Sequence, residues 1–408
     1  MRFLALVKSL TTPPVSGGDQ RLHALVSCLA EAGDLDVVFL HPHGAERRGG
    51  ARDAWPNVRF LAPVTKSVPK WRGHPRWVLS RRLPSALAFT DRSAIRREFR
   101  RWAQPRYDIA FFAGADGWYA LSDLVDAPKI VDLPDLLDVW VERQRTIAPA
   151  SDTTRPSVAL NVRDRLRGWR LATTSQRWTE YYRFMATKVA TVTVCSALDA
   201  ERLGAPNVRV LPNGYDRRTG PVGRPEVGTP PTFVFPGLMT YGPNADGAKY
   251  FVDDILPELL RLLPSARFVI AGDAPPGVRK LSEHANVEVT GWIDDMDTAL
   301  ARADAVVVPL RVGGGTRIKI IEAWAHHIPV VSTSVGAEGL DCASGRELLL
   351  ADAPEAFAEA CRDIVSNATL RGALVEAGSA RAAALTWTAT REVFRDVVRN
   401  VTDARPSS

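Results

Sequence analysis

The sequence predicts an α/β protein of two doubly wound, Rossmann-like parallel sheets. Three observations carry that reading. Apolar runs of strand length alternate with helical patterns along most of the chain, which argues for parallel strands covered on both faces. At 408 residues the chain is too long for one ordinary core, so two domains are the natural division. A stretch rich in Pro, Gly and Arg without periodicity, 217–231, interrupts the alternation and reads as a linker. The boundaries that follow are 1–216 for the first domain, 232–384 for the second and 385–408 for a closing helical segment.

The elements can be taken in order. Arg2 to Val7 is an apolar run, followed by Pro13, Pro14, Gly17 and Gly18 and then by Leu22, Leu25, Val26 and Leu29 at helical spacing. That is strand, glycine loop, helix. Asp36 to His41, Val58 to Ala62, Asp108 to Phe112, Lys129 to Asp132, Val189 to Val194 and Val208 to Leu211 are further strands, with a helical stretch through Tyr119 to Val125. The 141–187 segment reads as a surface helix or a cover over a cleft. Pro212-Asn213-Gly214-Tyr215-Asp216 is a turn signal. In the second half, Thr232 to Pro236, Arg267 to Ala271, Val287 to Thr290, Ala305 to Leu310, Pro329 to Thr333 and Glu347 to Leu350 are expected strands. Helices are expected over 245–263, 296–303 and 354–384, with a last one after Trp387.

Composition narrows the function classes. Hydrophobic content of 46% and charged content of 24% are those of a globular protein, and no apolar run reaches the roughly 20 residues of a spanning helix. The apolar start ends at Lys8, too early for a signal peptide, so a cytoplasmic location is expected. Four scattered cysteines fit no metal or redox spacing. The net charge of +6 points to anionic partners. Much of it lies in 66–106, a basic and aromatic segment containing Lys70, Trp71, Arg97, Arg100 and Arg101. It is read as a solvated face, as a surface for anionic membrane on the inner leaflet, or as a contact for an anionic acceptor or nucleic acid. No nucleic-acid partner is expected, because a basic segment alone does not explain the motif described next.

The densest chemistry is at 313–322. An apolar strand runs into Gly313, Gly314 and Gly315, and a helix is expected to start near Thr316. Glycines there let a ligand approach the backbone, and a helix N-terminus offers free N–H groups. Arg317 and Lys319 would oppose the helix dipole, so an anion is expected to compensate them. Glu322 lies three residues after Lys319 on the same face, placed to accept hydroxyl groups. Other polar or turn residues recur at the strand ends of this half: Gly237 and Asn244, the latter read as an N-cap, and Glu338. In the first half Asp132 and Asp135 follow one strand and His41 another. All three could meet an acceptor, and the two aspartates could equally be helix caps.

The run Gly-Gly-Gly-Thr-Arg-Ile-Lys-Ile-Ile-Glu-Ala, with Pro-Val-Val-Ser-Thr and Gly-Ala-Glu-Gly-Leu after it, resembles the donor-binding region of retaining family-four glycosyltransferases. More narrowly, it is similar to the bacterial exopolysaccharide branch. Gly17-Gly18 matches that family's first glycine loop, and Pro212 to Asp216 is similar to its Pro-Asn-Gly-Val-Asp motif. Phe235-Pro236-Gly237 with Asn244 resembles the opening of its donor domain. The resemblance implies a GT-B architecture with two domains facing across a cleft, and a nucleotide-diphosphate sugar as donor. It also implies no cofactor or obligatory metal and retention at the anomeric carbon.

Carried over by residue, the resemblance makes Glu322 the ribose contact. Arg317 and Lys319 are then the diphosphate contacts, with Gly314, Gly315 and Thr316 lining the donor. Asp135 would orient the acceptor hydroxyl. Two departures stand out: Gly314 occupies the place of a family glutamate that grips the donor sugar, and the loop Thr240 to Asn244 lacks the family's cations. Alternatives are a silent partner subunit of the same fold and a nucleotide-sugar epimerase.

Overall fold

The computed structural model describes residues 1–8, 10–40, 54–61, 83–146, 158–217, 220–224 and 226–404, and their side chains except those of 144–146 and 158–170. The chain forms two compact units, Met1–Pro212 with Thr390–Ser408, and Asn213–Ala389.

In the first unit seven described strands form one parallel sheet: β1 (Arg2–Val7), β2 (Asp34–Phe39), β3 (Arg59–Leu61), β4 (Ile109–Ala113), β5 (Lys129–Leu133), β6 (Thr191–Val194) and β7 (Val208–Val210). Their order is β3-β2-β1-β4-β5-β6-β7. Ala5 lies between Val37 and Phe111, so the order reverses at β1 and β4. Helices on both faces explain why these strands read as continuous apolar runs: Phe3 to Val7 and Ala110 to Phe112 are fully buried. The first helix, Gly17–Ala32, is capped by Ser16, whose Oγ accepts from the Asp19 amide at 3.1 Å.

The expected surface helix is a long element, Val158–Ala186, whose second half is core. Trp178, Tyr181, Tyr182 and Met185 are all buried, with Trp178 stacked on Tyr182 at 5.3 Å. Its arginine-rich composition hid this, because the buried aromatic face lies in the second half, where the described Arg183 is exposed. The last helix, Trp387–Asp403, joins this unit from Thr390. It buries Phe394, Val397, Val398 and Val401 in the β1–β4 core, with Phe394 edge-on to Phe111 at 5.5 Å.

The second unit repeats the plan. β8 (Thr232–Pro236), β9 (Arg267–Ala271), β10 (Val287–Val289), β11 (Ala305–Val308), β12 (Val330–Ser332) and β13 (Leu349–Leu350) pair in the order β10-β9-β8-β11-β12-β13. The reversal falls between β8 and β11, where Val234 pairs with Val306. Three expectations need correcting. The 347–350 strand shortens to two residues because the buried Glu347 side chain turns to accept from the Ala343 amide at 2.9 Å. The 245–263 helix is observed as Gly242–Tyr250 and Leu256–Leu262 joined by a five-residue π turn, Phe251–Ile255. That turn comes where Pro257 removes an amide donor from the helix ladder.

The third correction concerns the linker, whose described residues are folded onto the second unit. Asp304, itself buried, takes the Gly228 and Thr232 amides on its two oxygens, each at 2.7 Å. Arg224 donates to the Ala301 carbonyl at 2.8 Å and the Gly223 amide to that of His326 at 2.8 Å.

Candidate functional site

Ligands of doubly wound sheets sit beyond the carboxyl ends of the strands, where the order reverses. In the second unit that place is occupied by the loops after β8 and β11. β11 leads through Pro309 to Val312 into the triple glycine. Gly313 at φ 137° and Gly315 at φ 65° are in backbone regions that side chains other than glycine rarely enter. The loop is held at both ends. Arg311, before it, makes a two-pronged pair with Asp246 at 3.1 and 2.7 Å and lies over the Tyr250 ring. After it, the Thr316 hydroxyl accepts from the Asn213 amide group at 2.9 Å.

The helix itself is Ile318–Ala325, two residues later than expected, because Arg317 is extended at φ −92° and ψ 99° and serves as the N-cap residue. Arg317 is therefore not in the first turn. Its side chain folds back over Gly313, and Nη1 donates to the carbonyls of Gly314 and Gly315. A Cβ on Gly313 would stand 2.4 Å from Nη2, so glycine there makes room for the guanidinium. Nε and Nη2 are shut off from solvent and have no hydrogen-bond partner among the described residues. Two unsatisfied buried donors on a half-buried cation are costly, and an anion's oxygens would satisfy both.

Lys319 follows in the first turn but points elsewhere. Its ammonium is 2.9 Å from Asn244 Oδ1 and 4.1 Å from the centre of the Phe235 ring. A Cβ on Gly237 would be 3.1 Å from Nζ. The cation missing from the loop after β8 is thus delivered into it from the neighbouring helix. Asn244 is not the expected N-cap; that position is Tyr241, and Asn244 spans from the Leu238 carbonyl, 2.8 Å from its Nδ2, to Lys319. Burial pushes the Lys319 ammonium down to about 7, and the Arg317 charge adds to the effect. Glu322, one turn on, is pushed up to about 7, chiefly by burial; a hydrogen bond from Tyr215 acts against that. Glu338 ends the short helix Ser334–Ala337 beyond β12, in the loop next to the glycine turn's strand.

The first-unit candidates separate. Asp132 is fully buried: Arg21 meets its two oxygens at 2.8 and 2.6 Å, and Thr193 donates to one of them at 2.6 Å. Its carboxylate is spent inside the core, so the expectation of an acceptor contact is corrected. Asp135 is half-buried on the loop after β5, close enough to Tyr182 to act on its hydroxyl. Gly17 and Gly18 open the first helix after the Ser16 cap. His41 and residues 62–82 lie outside the described residues.

Sequence reasoning missed Tyr215, His326, Asp297 and Asn213, all near Glu322 or the glycine loop. The signal available was Tyr215 itself, a large polar residue where the similar motif carries valine.

Residues 230–367 match the family model described as glycosyl transferases group 1. The second unit carries a glycosyltransferase group 1 domain. That domain spans β8 to the helix Pro354–Ser366 and so contains Arg317, Lys319 and Glu322. A curated relative, an uncharacterized 44.6 kDa protein in the cps region of Klebsiella pneumoniae, is 24% identical over 135 residues, 31% of this chain and 35% of that relative's length. Among solved structures, sucrose-phosphate synthase from Thermosynechococcus elongatus superposes with a TM-score of 0.69 at 16% identity, covering 99% of this chain and 100% of the other. HepE from Anabaena, in complex with UDP-glucose, gives 0.61 at 12% identity, covering 98% and 100%. The architecture is GT-B. The group 1 domain supplies the second of its two Rossmann-like sheets.

Proposed function

We propose that this chain is a retaining glycosyltransferase that moves a sugar from a nucleotide-diphosphate donor to an acceptor hydroxyl without a metal ion. The observation that carries the reading is Arg317. It holds two buried guanidinium nitrogens without a hydrogen-bond partner among the described residues, at the glycine turn after β11, with Lys319 entering the adjacent loop. As the bond to the sugar breaks, the departing diphosphate gains negative charge. Fixed cations and helix N–H groups stabilise that charge where it develops. Glu322 accepts the donor ribose hydroxyls, and Gly315 and Thr316 line the phosphates. Gly314 leaves open the place from which the family's glutamate grips the sugar. The leaving phosphate helps deprotonate the acceptor, and Asp135 orients it. HepE, of the same fold, was solved with UDP-glucose, and a uridine nucleotide is the first donor to try.

The acceptor belongs to a cell-surface glycan or a natural product. Arg97, Arg100, Arg101 and Arg106 are exposed and would bring the enzyme to an anionic membrane surface. The absence of a side chain at Gly314 also favours a second reading, a silent subunit that binds nucleotide without turnover. Release of nucleoside diphosphate in the presence of acceptor separates the two.

The site assignment is tested by calorimetry with UDP and with inorganic pyrophosphate. Arg317→Ala and Lys319→Ala are each expected to weaken both ligands at least tenfold, since a hydrogen bond to a charged group is worth about 1.5–3 kcal/mol. Unchanged affinity for both ligands in both variants overturns the assignment.

A further inference from the structure

Behind Glu322 lies a chain of polar groups that the transfer reaction as described does not use. Tyr215 sits in the segment that opens the second unit, and the backbone there is fixed. A Cβ on Gly214 would stand 2.3 Å from the Thr386 carbonyl carbon, and the Tyr215 amide donates to the Leu385 carbonyl at 2.9 Å. The Tyr215 ring meets His326 edge to face at 5.6 Å, and its hydroxyl is 3.0 Å from His326 Nε2. The same nitrogen is 3.3 Å from Asp297 Oδ1. Tyr215 also stands close enough to Glu322 to act on it as a hydrogen-bond donor that favours its ionised form.

His326 has no exposure, and it closes the helix that carries Glu322, its amide donating to the Glu322 carbonyl at 3.0 Å. Its Nδ1 is buried without a hydrogen-bond partner among the described residues. A bare lone pair is cheaper to bury than a bare N–H, so the neutral ring with its proton on Nε2 fits this place. Burial favours that neutral form as well. The polarity then runs one way. Nε2–H is shared between Asp297 and the Tyr215 oxygen, and the Tyr215 O–H donates to Glu322.

We infer that Tyr215, His326 and Asp297 are positioning residues, a partly buried chain of polar contacts that aims one oxygen of Glu322 at the ribose of a bound nucleotide. The inference rests on the reading of Glu322 as the ribose contact. A glutamate has three side-chain torsions to fix, and fixing them before binding lowers the entropy lost when the ligand arrives. A donor on one carboxylate oxygen leaves the other for the sugar hydroxyls. The arrangement has a second effect. The groups facing Glu322 are Tyr215, Asp297 and Lys319; the last two act on it in opposite directions, and Tyr215 favours the ionised form. Those facing His326 besides Tyr215 are Asp297, Asp295, Arg217 and His327. Ribose hydroxyls donate to an ionised Glu322, so affinity falls as the pH drops through its pKa of about 7. On the other side of neutrality, Lys319 loses its charge as the pH rises through about 7. Removing the tyrosine hydroxyl raises the Glu322 pKa and moves only the acid limb, toward higher pH.

The test is calorimetry on the full chain with UDP, GDP and ADP, the tightest then compared with its 2′,3′-dideoxy form over about two pH units around neutrality. Tyr215→Phe is expected to weaken the ribonucleotide about fivefold and to move the acid limb upward. It is expected to leave the dideoxy form unchanged and to have no effect in a Glu322→Gln background. His326→Gln keeps an N–H near the same place, and it is expected to retain more of the ribose preference than Tyr215→Phe. Equal weakening of both nucleotide forms by Tyr215→Phe, or no change in either, overturns the inference when Glu322→Gln still abolishes the ribose preference. A wild-type chain without that preference, or a Glu322→Gln variant that keeps it, overturns the ribose reading itself and the inference with it.

Discussion

Asp132 and Arg21 carry opposite charges at essentially no exposure, 0% and 1%, so each depends on the other. The two-pronged pair, the Thr193 hydroxyl and the Leu211 carbonyl accepting from Arg21 at 2.9 Å satisfy the polar atoms of both groups. Removing one partner strands a charge in the core. Asp132→Ala is expected to cost about 3–5 kcal/mol in urea unfolding. Replacing both residues by apolar ones of similar size, Arg21→Met with Asp132→Leu, is expected to recover most of that loss. A single-variant loss below about 1 kcal/mol would show that the site relaxes enough to admit water. The sequence could not reveal this role. A carboxylate at a strand end looks the same whether it faces a ligand or a cation 111 residues away, and only the packing of the first helix on β5 tells them apart. The grouping of Arg317 with Glu322, whose roles are proposals, was legible for the opposite reason: glycine loop, cation and glutamate lie within one short stretch of chain.

At the scale of elements, local signals and distant partners again decide what could be read. The central strands of both sheets were legible because burial on both faces leaves an unbroken apolar run, as in Phe3 to Val7 and Ala305 to Val308. The start of the helix at Ile318 was not, since nothing local shows that the Arg317 side chain turns back over the glycines and keeps its own backbone extended. Nor was the aim of Lys319, which depends on the Asn244 side chain and the Phe235 ring, brought near by the β8–β11 pairing. The last helix gives a direct test of an element held by long-range packing. Phe394 is fully buried against Phe111, and Arg391 and Arg395 reach Glu31 at 3.4 and 2.9 Å. The ion pairs are partly exposed and worth little. The ring supplies most of the attachment, so Phe394→Ala is expected to destabilise the first unit by about 3–5 kcal/mol and Glu31→Gln by less than about 1 kcal/mol. Comparable losses in the two variants would mean that charge, not packing, holds the helix.

For the whole molecule, the excess of six positive charges is unevenly spread. The helix Ser93–Trp102 buries Ile95 and Phe99 in the first-unit core and turns Arg97, Arg100 and Arg101 outward, with Arg106 exposed just beyond it. Arg96 and Arg92 are already engaged, by Asp123 at 2.6 Å and by the Tyr119 ring at 4.4 Å, so they add little to an outward field. Among the described residues, no helix is long and apolar enough to cross a membrane. The attraction that these exposed arginines would exert on an anionic membrane is electrostatic, and its strength follows from counting. Each arginine at an anionic surface contributes about 1 kcal/mol, decaying within a Debye length of roughly 10 Å at moderate salt. Sedimentation with vesicles containing about a third anionic lipid is expected to pull the protein down at low salt. Neutral vesicles are expected to leave it in solution. Arg97→Gln, Arg100→Gln and Arg101→Gln together are expected to lower the partition coefficient by about two orders of magnitude while leaving nucleotide affinity unchanged. Half-molar salt is expected to do the same to the wild-type chain, because it shortens the Debye length to about 4 Å. Equal partitioning onto neutral and anionic vesicles would remove the membrane from the proposal, and the exposed arginines would then be left for an anionic acceptor.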